Sequence, residues 1–197
     1  MNIIKIGDKG VMDEVVSVFR DGGLVMHPTE TCYGLAVDVF NEEALKKLYK
    51  FKEMGFDKPV SILVDGFGMA DEYGIFSDKA YELAERYWPG ALSIVVPRKR
   101  SLPDFLNKGI ETVSFRYSSD DFSNEMVKVL GKPVSTTSAN KTGEPQLYKV
   151  DISGWGDEID LIVDGGELID NKPSTIVKVE GDKVEVLRQG ELLCEDI

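Results

Sequence analysis

The chain has 197 residues, of which 42% are hydrophobic and 29% are charged, and its formal net charge at pH 7 is −12. These values are ordinary for a folded globular protein and exclude disorder as the first interpretation. The strong negative charge argues against a surface that covers a nucleic-acid backbone, but it leaves room for a local basic site that binds a small anion.

The two cysteines, Cys32 and Cys194, lie far apart and lack the spacing of a metal site or a disulfide framework. This cysteine usage favours a reducing compartment. No apolar run approaches the length of a membrane-spanning helix, and the N-terminal sequence MNIIKIGDKG lacks the apolar core of a secretion signal. We therefore expect a cytoplasmic protein.

The first predicted element is a helix over residues 8–20, where apolar side chains recur at helical spacing before two glycines. Residues 24–27 and 35–39 are predicted to form short strands. Asn41 is the expected N-cap of a helix that ends near residue 52, because glutamates fill its first turn and lysines its last. Residues 60–64 are an apolar, β-branched run that is typical of a strand.

The second half of the chain continues the alternation. Ser77 is the expected cap of another helix, which ends at the Trp-Pro-Gly sequence of residues 88–90. The runs LSIVVP, TVSFR, PVSTTSAN, LIVDGG, STIVKVE and KVEVLRQG are predicted to be strands, with a helix near residues 122–130. Since helices and strands interleave without a linker or a repeat, we predict one α/β domain with a mixed sheet over residues 1–197.

Polar loops at the ends of these strands are the strongest functional signal. The stretch LVMHPTETCYGLAVD carries hydroxyls at Thr29, Thr31 and Tyr33, and SFRYSS, STTSANKTG and NKPSTIVK are similarly rich in hydroxyl groups. Arg116 and Arg188 lie in or beside such loops. One hydroxyl-rich loop is usually explained by turn chemistry, but four of them, two with an arginine, predict a ligand crevice at one end of the sheet.

Three reactive residues have simpler interpretations. His27, the single histidine, precedes Pro28 at a strand end, so a core or turn role is favoured over catalysis. Cys32 is interpreted as a small packing residue, since the chain has no second histidine to activate it. Lys52 lies at a predicted helix C-terminus, where it could simply interact with the helix dipole.

The order of the motifs HPTETCYGLAVD, KPVSILV, WPGALSIVVP, TVSFR, TTSANKTGEP, STIVKV and VLRQG resembles that of the YrdC family. The likeness covers about residues 23–190, and the pairing of a PTET loop with a SAN loop roughly a hundred residues later is specific. It is similar to the short, single-domain form of the family. The resemblance implies a twisted mixed sheet with flanking helices around a deep, basic, concave cavity.

The resemblance also implies a reaction: a nucleotidyltransferase that joins L-threonine, bicarbonate and ATP into threonylcarbamoyl-AMP and pyrophosphate. A separate transferase complex would then carry the threonylcarbamoyl group to tRNA. Mg²⁺ is expected to bind together with ATP, and no metal site is expected within the protein itself. Direct nucleic-acid binding is not expected to be strong.

Carried over residue by residue, the resemblance implies two sets of contacts. Threonine would be bound by Thr31, Tyr33, Arg116, Ser138 and Thr175. ATP would be bound by Lys52, Lys58, Thr112, Thr136, Asn140 and Arg188. Lys52 and Arg116 would be the catalytic cations, because lysine suits phosphate oxygens and arginine suits a carboxylate.

The sequence departs from the family pattern at Met54, which stands where the lysine motif of the family ends in an arginine. Losing that cation is expected to cost about 1.5–3 kcal/mol of ATP binding unless Lys58 compensates. Gln146 also replaces a residue that is commonly serine. Two alternatives stay open, namely a related carbamoyl-transfer enzyme with another substrate and a non-catalytic module that binds nucleotide or RNA.

Overall fold

The computed structural model describes residues 2–151, 153, 155 and 157–193. In this part of the chain the helices are α1 (Val11–Arg20), α2 (Glu42–Phe51), α3 (Phe67–Tyr73), α4 (Asp78–Tyr87) and α5 (Asp121–Leu130). The strands are β1 (Asn2–Lys5), β2 (Val25–His27), β3 (Gly34–Ala36), β4 (Ser61–Leu63), β5 (Leu92–Pro97), β6 (Thr112–Arg116), β7 (Val134–Ser138), β8 (Leu161–Asp164), β9 (Thr175–Glu180) and β10 (Lys183–Arg188). Cys194 lies outside the described residues.

The strands form one mixed sheet in the order β1-β8-β2-β3-β7-β4-β6-β5-β9-β10. The sheet contains parallel pairs, such as β4 with β6 and β5 with β9, and antiparallel pairs, such as β3 with β7 and β5 with β6. The predicted fold class, a mixed α/β sheet with flanking helices, is confirmed.

Most predicted elements are present, and their caps explain where the helices begin. The Asn41 side chain accepts a hydrogen bond of 3.1 Å from the amide of Ala44, and that of Ser77 accepts one of 3.3 Å from the amide of Ala80. Sequence analysis missed β1 and α3. The strand β1 is an exposed edge with little apolar alternation, and α3 has only seven residues, so neither gives a periodic signal.

Two cores cover the two faces of the sheet. On one face, α2 and α4 pack on Leu35, Ile62, Ile94 and other inward residues of the strands. On the other face, α1 and α5 pack on a smaller group that includes Leu63. These two helices cover only part of their face. Ser61 lies two residues before Leu63 on the same face of the sheet. At Ser61 this face is not covered by α1 or α5.

No helix within the described residues is long and apolar enough to span a bilayer.

Candidate active site

A cavity with about 780 Å³ of empty space, including the part that opens to solvent, lies over the uncovered part of the sheet. The residues that line it are Thr29, Thr31, Cys32, Gly34, Met54, Pro59, Val60, Ser61, Ser93, Arg116, Thr136, Thr137, Ser138, Gln146, Pro173, Ser174, Ile176 and Arg188.

The register of the sheet explains why polar side chains meet on this floor. Thr136 of β7 lies opposite Ser61 of β4, and Arg116 of β6 lies opposite Ser93 of β5. Residues opposite one another on neighbouring strands share a face. Hydroxyls and arginines that are remote in sequence are therefore brought side by side.

The loop between β2 and β3 folds around the Thr29 hydroxyl. This oxygen accepts hydrogen bonds from the amides of Thr31 (3.1 Å) and Cys32 (3.2 Å) and donates one of 2.6 Å to the Cys32 carbonyl. Thr29 thus performs the turn chemistry that hydroxyl-rich loops commonly show. The same arrangement leaves the Thr31 side chain at the cavity wall, next to Arg116.

Arg116 is buried at this wall, and Nη2 carries all of its described contacts. It donates 3.3 Å to Thr31 Oγ1 and lies 3.0 Å from Glu30 Oε1, while the buried Nε–H has no partner. A buried guanidinium in the lining of a cavity is suited to bind a ligand carboxylate. This is the feature of the site that most directly indicates an anionic ligand.

Glu30 holds Arg116 in place. Its carboxylate accepts hydrogen bonds from the Ser118 hydroxyl (2.5 Å) and the Ser119 amide (3.2 Å) in addition to the ion pair. Burial alone would raise the pKa of Glu30, but Arg116 and the Ser118 hydroxyl outweigh burial, so the net pKa is lowered. Sequence analysis missed this residue, because nothing in a PTET tetrapeptide shows which charge its glutamate faces.

Arg188 provides a second cation on the floor. Its Nε (3.1 Å) and Nη2 (2.9 Å) donate to the Ser174 carbonyl, and Nη2 also donates 3.0 Å to the Ser174 hydroxyl. The Ser93 and Ser174 hydroxyls are 3.3 Å apart between the two arginines. Burial and the nearby Arg116 lower the pKa of Arg188, as expected where two like charges share a site. Sequence analysis missed Ser93, although a polar residue within the apolar strand LSIVVP is a signal that could have found it.

None of the lining residues is acidic, so the cavity is electropositive in a chain whose net charge is −12. Cys32 lines it with a thiol whose pKa burial raises, although Arg116 partly opposes the shift. His27 is buried outside the lining, with Nδ1 3.0 Å from the Pro28 carbonyl oxygen. No lining group is therefore a ready general base near neutral pH.

The cavity offers hydroxyls but no carboxylate, and no group of three or more potential metal-binding side chains occurs among the described residues. Protein-bound Mg²⁺ prefers one or two carboxylates together with phosphate oxygens. The lining thus does not fit a resident magnesium ion.

Several predicted residues meet at the cavity, namely Thr31, Arg116, Thr136, Ser138 and Arg188. Others do not line it. The Tyr33 hydroxyl is buried, accepts 2.9 Å from the Gly165 amide and donates 2.8 Å to the Gly166 carbonyl. Thr175 is also buried, with a hydroxyl that donates 2.7 Å to the Leu192 carbonyl. Both hydroxyls have structural partners, so their position supports a packing role.

The predicted ATP contacts away from the lining fall into two groups. Thr112 lies at the far end of β6, about 13 Å along the strand from Arg116, and Lys58 is exposed on the loop before Pro59. Lys52 and Asn140 are buried together behind the wall that Ser138 forms. Met54 does line the cavity, so an apolar side chain stands where the family pattern has a cation.

Comparison with known proteins places these features in a family. The Sua5/YciO/YrdC family model, described as "Telomere recombination", matches residues 17–190. A Methanocaldococcus jannaschii protein, named provisionally as a threonylcarbamoyl-AMP synthase, is 31% identical over 184 residues, which are 92% of this chain and 86% of the relative. The threonylcarbamoyl-AMP synthase of Pyrococcus abyssi is 31% identical over 182 residues, 90% of this chain but only 53% of the relative.

A solved structure agrees with the sequence comparison. P. abyssi Sua5 complexed with L-threonine superimposes with a TM-score of 0.91 at 27% identity, over 100% of this chain and 59% of that chain. The chain thus spans most of some curated relatives and a little over half of others.

Proposed function

Starting from the fact that this chain belongs to the Sua5/YciO/YrdC family, we propose that it is an enzyme that makes threonylcarbamoyl-AMP from L-threonine, bicarbonate and ATP. This reaction would class it as a nucleotidyltransferase. The observation that carries the proposal is the buried Arg116, whose guanidinium belongs to the lining of a cavity without carboxylates. An L-threonine carboxylate would be a suitable acceptor for this guanidinium.

The remaining lining groups fit the other parts of the substrates. Thr31 lies beside Arg116 and would offer its hydroxyl to the ammonium or the hydroxyl of threonine. Ser138 lines the same cavity further from Arg116. Thr136 and Arg188 line the same floor on opposite sides of Arg116 in the sheet order, and Arg188 would offer a cation to the nucleotide phosphates. The amino acid and the nucleotide would thus be held next to each other on one face of the sheet.

In the proposed reaction, the threonine amine attacks the carbon of bicarbonate, water leaves, and an oxygen of the resulting carbamate attacks the α-phosphorus of ATP. The bond from the α-phosphorus to the bridging oxygen breaks, and pyrophosphate leaves. The chain's own contribution would be positioning by Arg116 and stabilisation of developing charge by the two arginines. Because the lining lacks a base, the amine proton would pass to a bicarbonate-derived oxygen or to solvent. The product would be consumed by a transferase that acts on tRNA.

The test is pyrophosphate release by the purified protein with each substrate omitted in turn. We expect release only when threonine, bicarbonate and ATP are all present, and we expect Arg116→Met to abolish threonine binding in calorimetry without unfolding the protein. Pyrophosphate release that does not depend on threonine would overturn the assignment.

A further inference from the structure

Four residues form a row across the floor of the cavity, at one level of four neighbouring strands. Arg116 of β6 lies opposite Ser93 of β5, which in turn lies opposite Ile176 of β9. Arg188 of β10 lies opposite the same Ile176. All four residues line the cavity, and residues opposite one another on neighbouring strands share a face. The register therefore places Ser93 between the two arginines, on the strand directly beside that of Arg116.

Ser93 is an unusual residue for its strand. It is the one polar side chain in β5, whose sequence is LSIVVP, and it is only 2% exposed. Among the described residues, its hydroxyl has a single partner, the Ser174 hydroxyl at 3.3 Å. A buried hydroxyl with one long hydrogen bond is poorly compensated for the loss of water. A ligand in the cavity would supply a second partner.

The hydrogen bonds behind Ser93 begin at a cation. Nη2 of Arg188 donates 3.0 Å to the hydroxyl oxygen of Ser174. A guanidinium can only donate, so this oxygen accepts, and the proton of the Ser174 hydroxyl is free to point to Ser93. The Ser93 oxygen then accepts from Ser174, and its own proton can be donated into the cavity. Because the hydrogen bonds in such a chain polarise one another, an anion is the ligand that this arrangement favours.

We propose that Ser93 and Ser174 form a subsite for a small carbon oxyanion between Arg116 and Arg188, in which the Ser93 hydroxyl donates to an oxygen of the ligand. No residue of the cavity lining is acidic, so no lining charge repels such a group. The subsite rests on the proposed function only for its two candidate ligands, the carboxylate of L-threonine and bicarbonate. Both carry an O–C–O group, and both must lie close together for the amine to reach the carbon of bicarbonate.

The experiment measures the binding of each ligand without nucleotide, so it does not depend on turnover. Calorimetry gives the Kd of L-threonine, and the broadening of the ¹³C resonance of labelled bicarbonate gives that of bicarbonate. We expect Ser93→Ala to weaken the binding of one of the two ligands at least about tenfold, because a hydrogen bond to a charged group is lost. Ser93→Thr keeps the hydroxyl and should stay within about threefold of the wild type. The ligand that responds is the occupant of the subsite.

A second variant and a matched control complete the set. Ser174→Ala should weaken the binding of the same ligand, and the double variant should lose less than the product of the two single effects, since both hydroxyls act in one chain. Ser114→Ala is the control. Ser114 lies two residues before Arg116 on β6, outside the cavity lining, and its buried hydroxyl has no partner among the described residues. Its removal should leave both affinities within about twofold of the wild type.

Unchanged affinities for both ligands in Ser93→Ala would overturn the inference, and so would a loss that Ser93→Thr does not restore. If Ser93→Ala does not fold, Ser174→Ala decides by its effect on the same two affinities. A wild type that binds neither ligand also overturns the inference. A wild type that shows this pattern of binding but releases no pyrophosphate supports the subsite and refutes the proposed function.

Discussion

Glu30 shows how one residue can matter without touching the cavity. Its side chain is 19% exposed and that of its partner Arg116 is 10% exposed, so the ion pair is largely withdrawn from solvent. Removing one charge of such a pair leaves the other uncompensated. The position of the Arg116 guanidinium therefore depends on a neighbouring carboxylate that does not line the cavity.

We predict that Glu30→Gln lowers the free energy of unfolding by about 2–3 kcal/mol at pH 7, because a hydrogen-bonded charge pair is lost. The measurement is urea denaturation, with the exposed Glu85→Gln as control. The folded pKa of Glu30 lies below its ordinary value of 4.5, so its stabilisation is full above pH 4.5 and is lost as the pH falls through the folded pKa. The difference between wild type and variant should narrow in acid, and a difference that does not change with pH would contradict this account.

Met54 permits the opposite kind of test, in which a cation is added. We expect Met54→Arg to bind a non-hydrolysable ATP analogue about 10–100-fold more tightly, in line with the 1.5–3 kcal/mol assigned to a charged hydrogen bond. Val129→Arg adds the same charge on the exposed side of α5 and should leave the affinity unchanged. Equal affinities of Met54→Arg and wild type would show that this wall does not face the phosphates.

At the scale of single residues, sequence motifs predicted several of the residues that line the cavity, and the structure revealed the others. Thr31, Ser138 and Arg116 could be predicted because strand-end hydroxyls and an arginine are visible in a sequence. The burial of Tyr33 and Thr175 was not visible, since a hydroxyl that bonds a distant backbone looks the same in sequence as one that faces a ligand.

At the scale of elements, local pattern predicted β5, β6 and α2, because apolar alternation and caps are encoded within a few residues. The neighbour of each strand was not encoded in this way. β7 lies between β3 and β4, and β9 lies beside β5, through pairings between distant segments. The cavity depends on those pairings, so the hydroxyl-rich loops could predict a ligand crevice but not which strands form it.

The chain segment after β10 packs so closely on the start of β9 that one position accepts only glycine. A Cβ on Gly190 would lie 2.1 Å from the carbonyl oxygen of Pro173 and 2.5 Å from the carbonyl carbon of Ser174. Pro173 and Ser174 are both residues of the cavity lining. We predict that Gly190→Ala lowers the free energy of unfolding by about 3 kcal/mol, the upper range of overpacking costs. Urea denaturation measures it.

Gly7→Ala is the control for that prediction, because a Cβ there has no neighbour within 4 Å. It should change stability by less than about 0.5 kcal/mol, as is usual for surface substitutions. Similar stabilities of the two variants would mean that the close approach at Gly190 is relieved by a small shift of the backbone.

At the scale of the whole molecule, charge separates the proposed enzyme from an RNA-binding module. The net charge is −12, while the cavity has two arginines and no acid in its lining. Small anions can enter such a cavity, but a polyanion must approach the acidic exterior. We predict no gel shift of tRNA at about 150 mM salt. A shift that weakens steeply with added salt would support the RNA-binding alternative instead.

The sheet order has a consequence for synthesis of the protein. The cavity takes Thr31 from the first fifth of the chain, Arg116 from its middle and Arg188 from the last strand, β10, which joins the sheet beside β9. Domains emerge from the ribosome with the N-terminus first, and pairings between distant segments form late. A translation product that stops before β10 lacks Arg188, so nucleotide binding by the proposed enzyme would report that the final hairpin has docked.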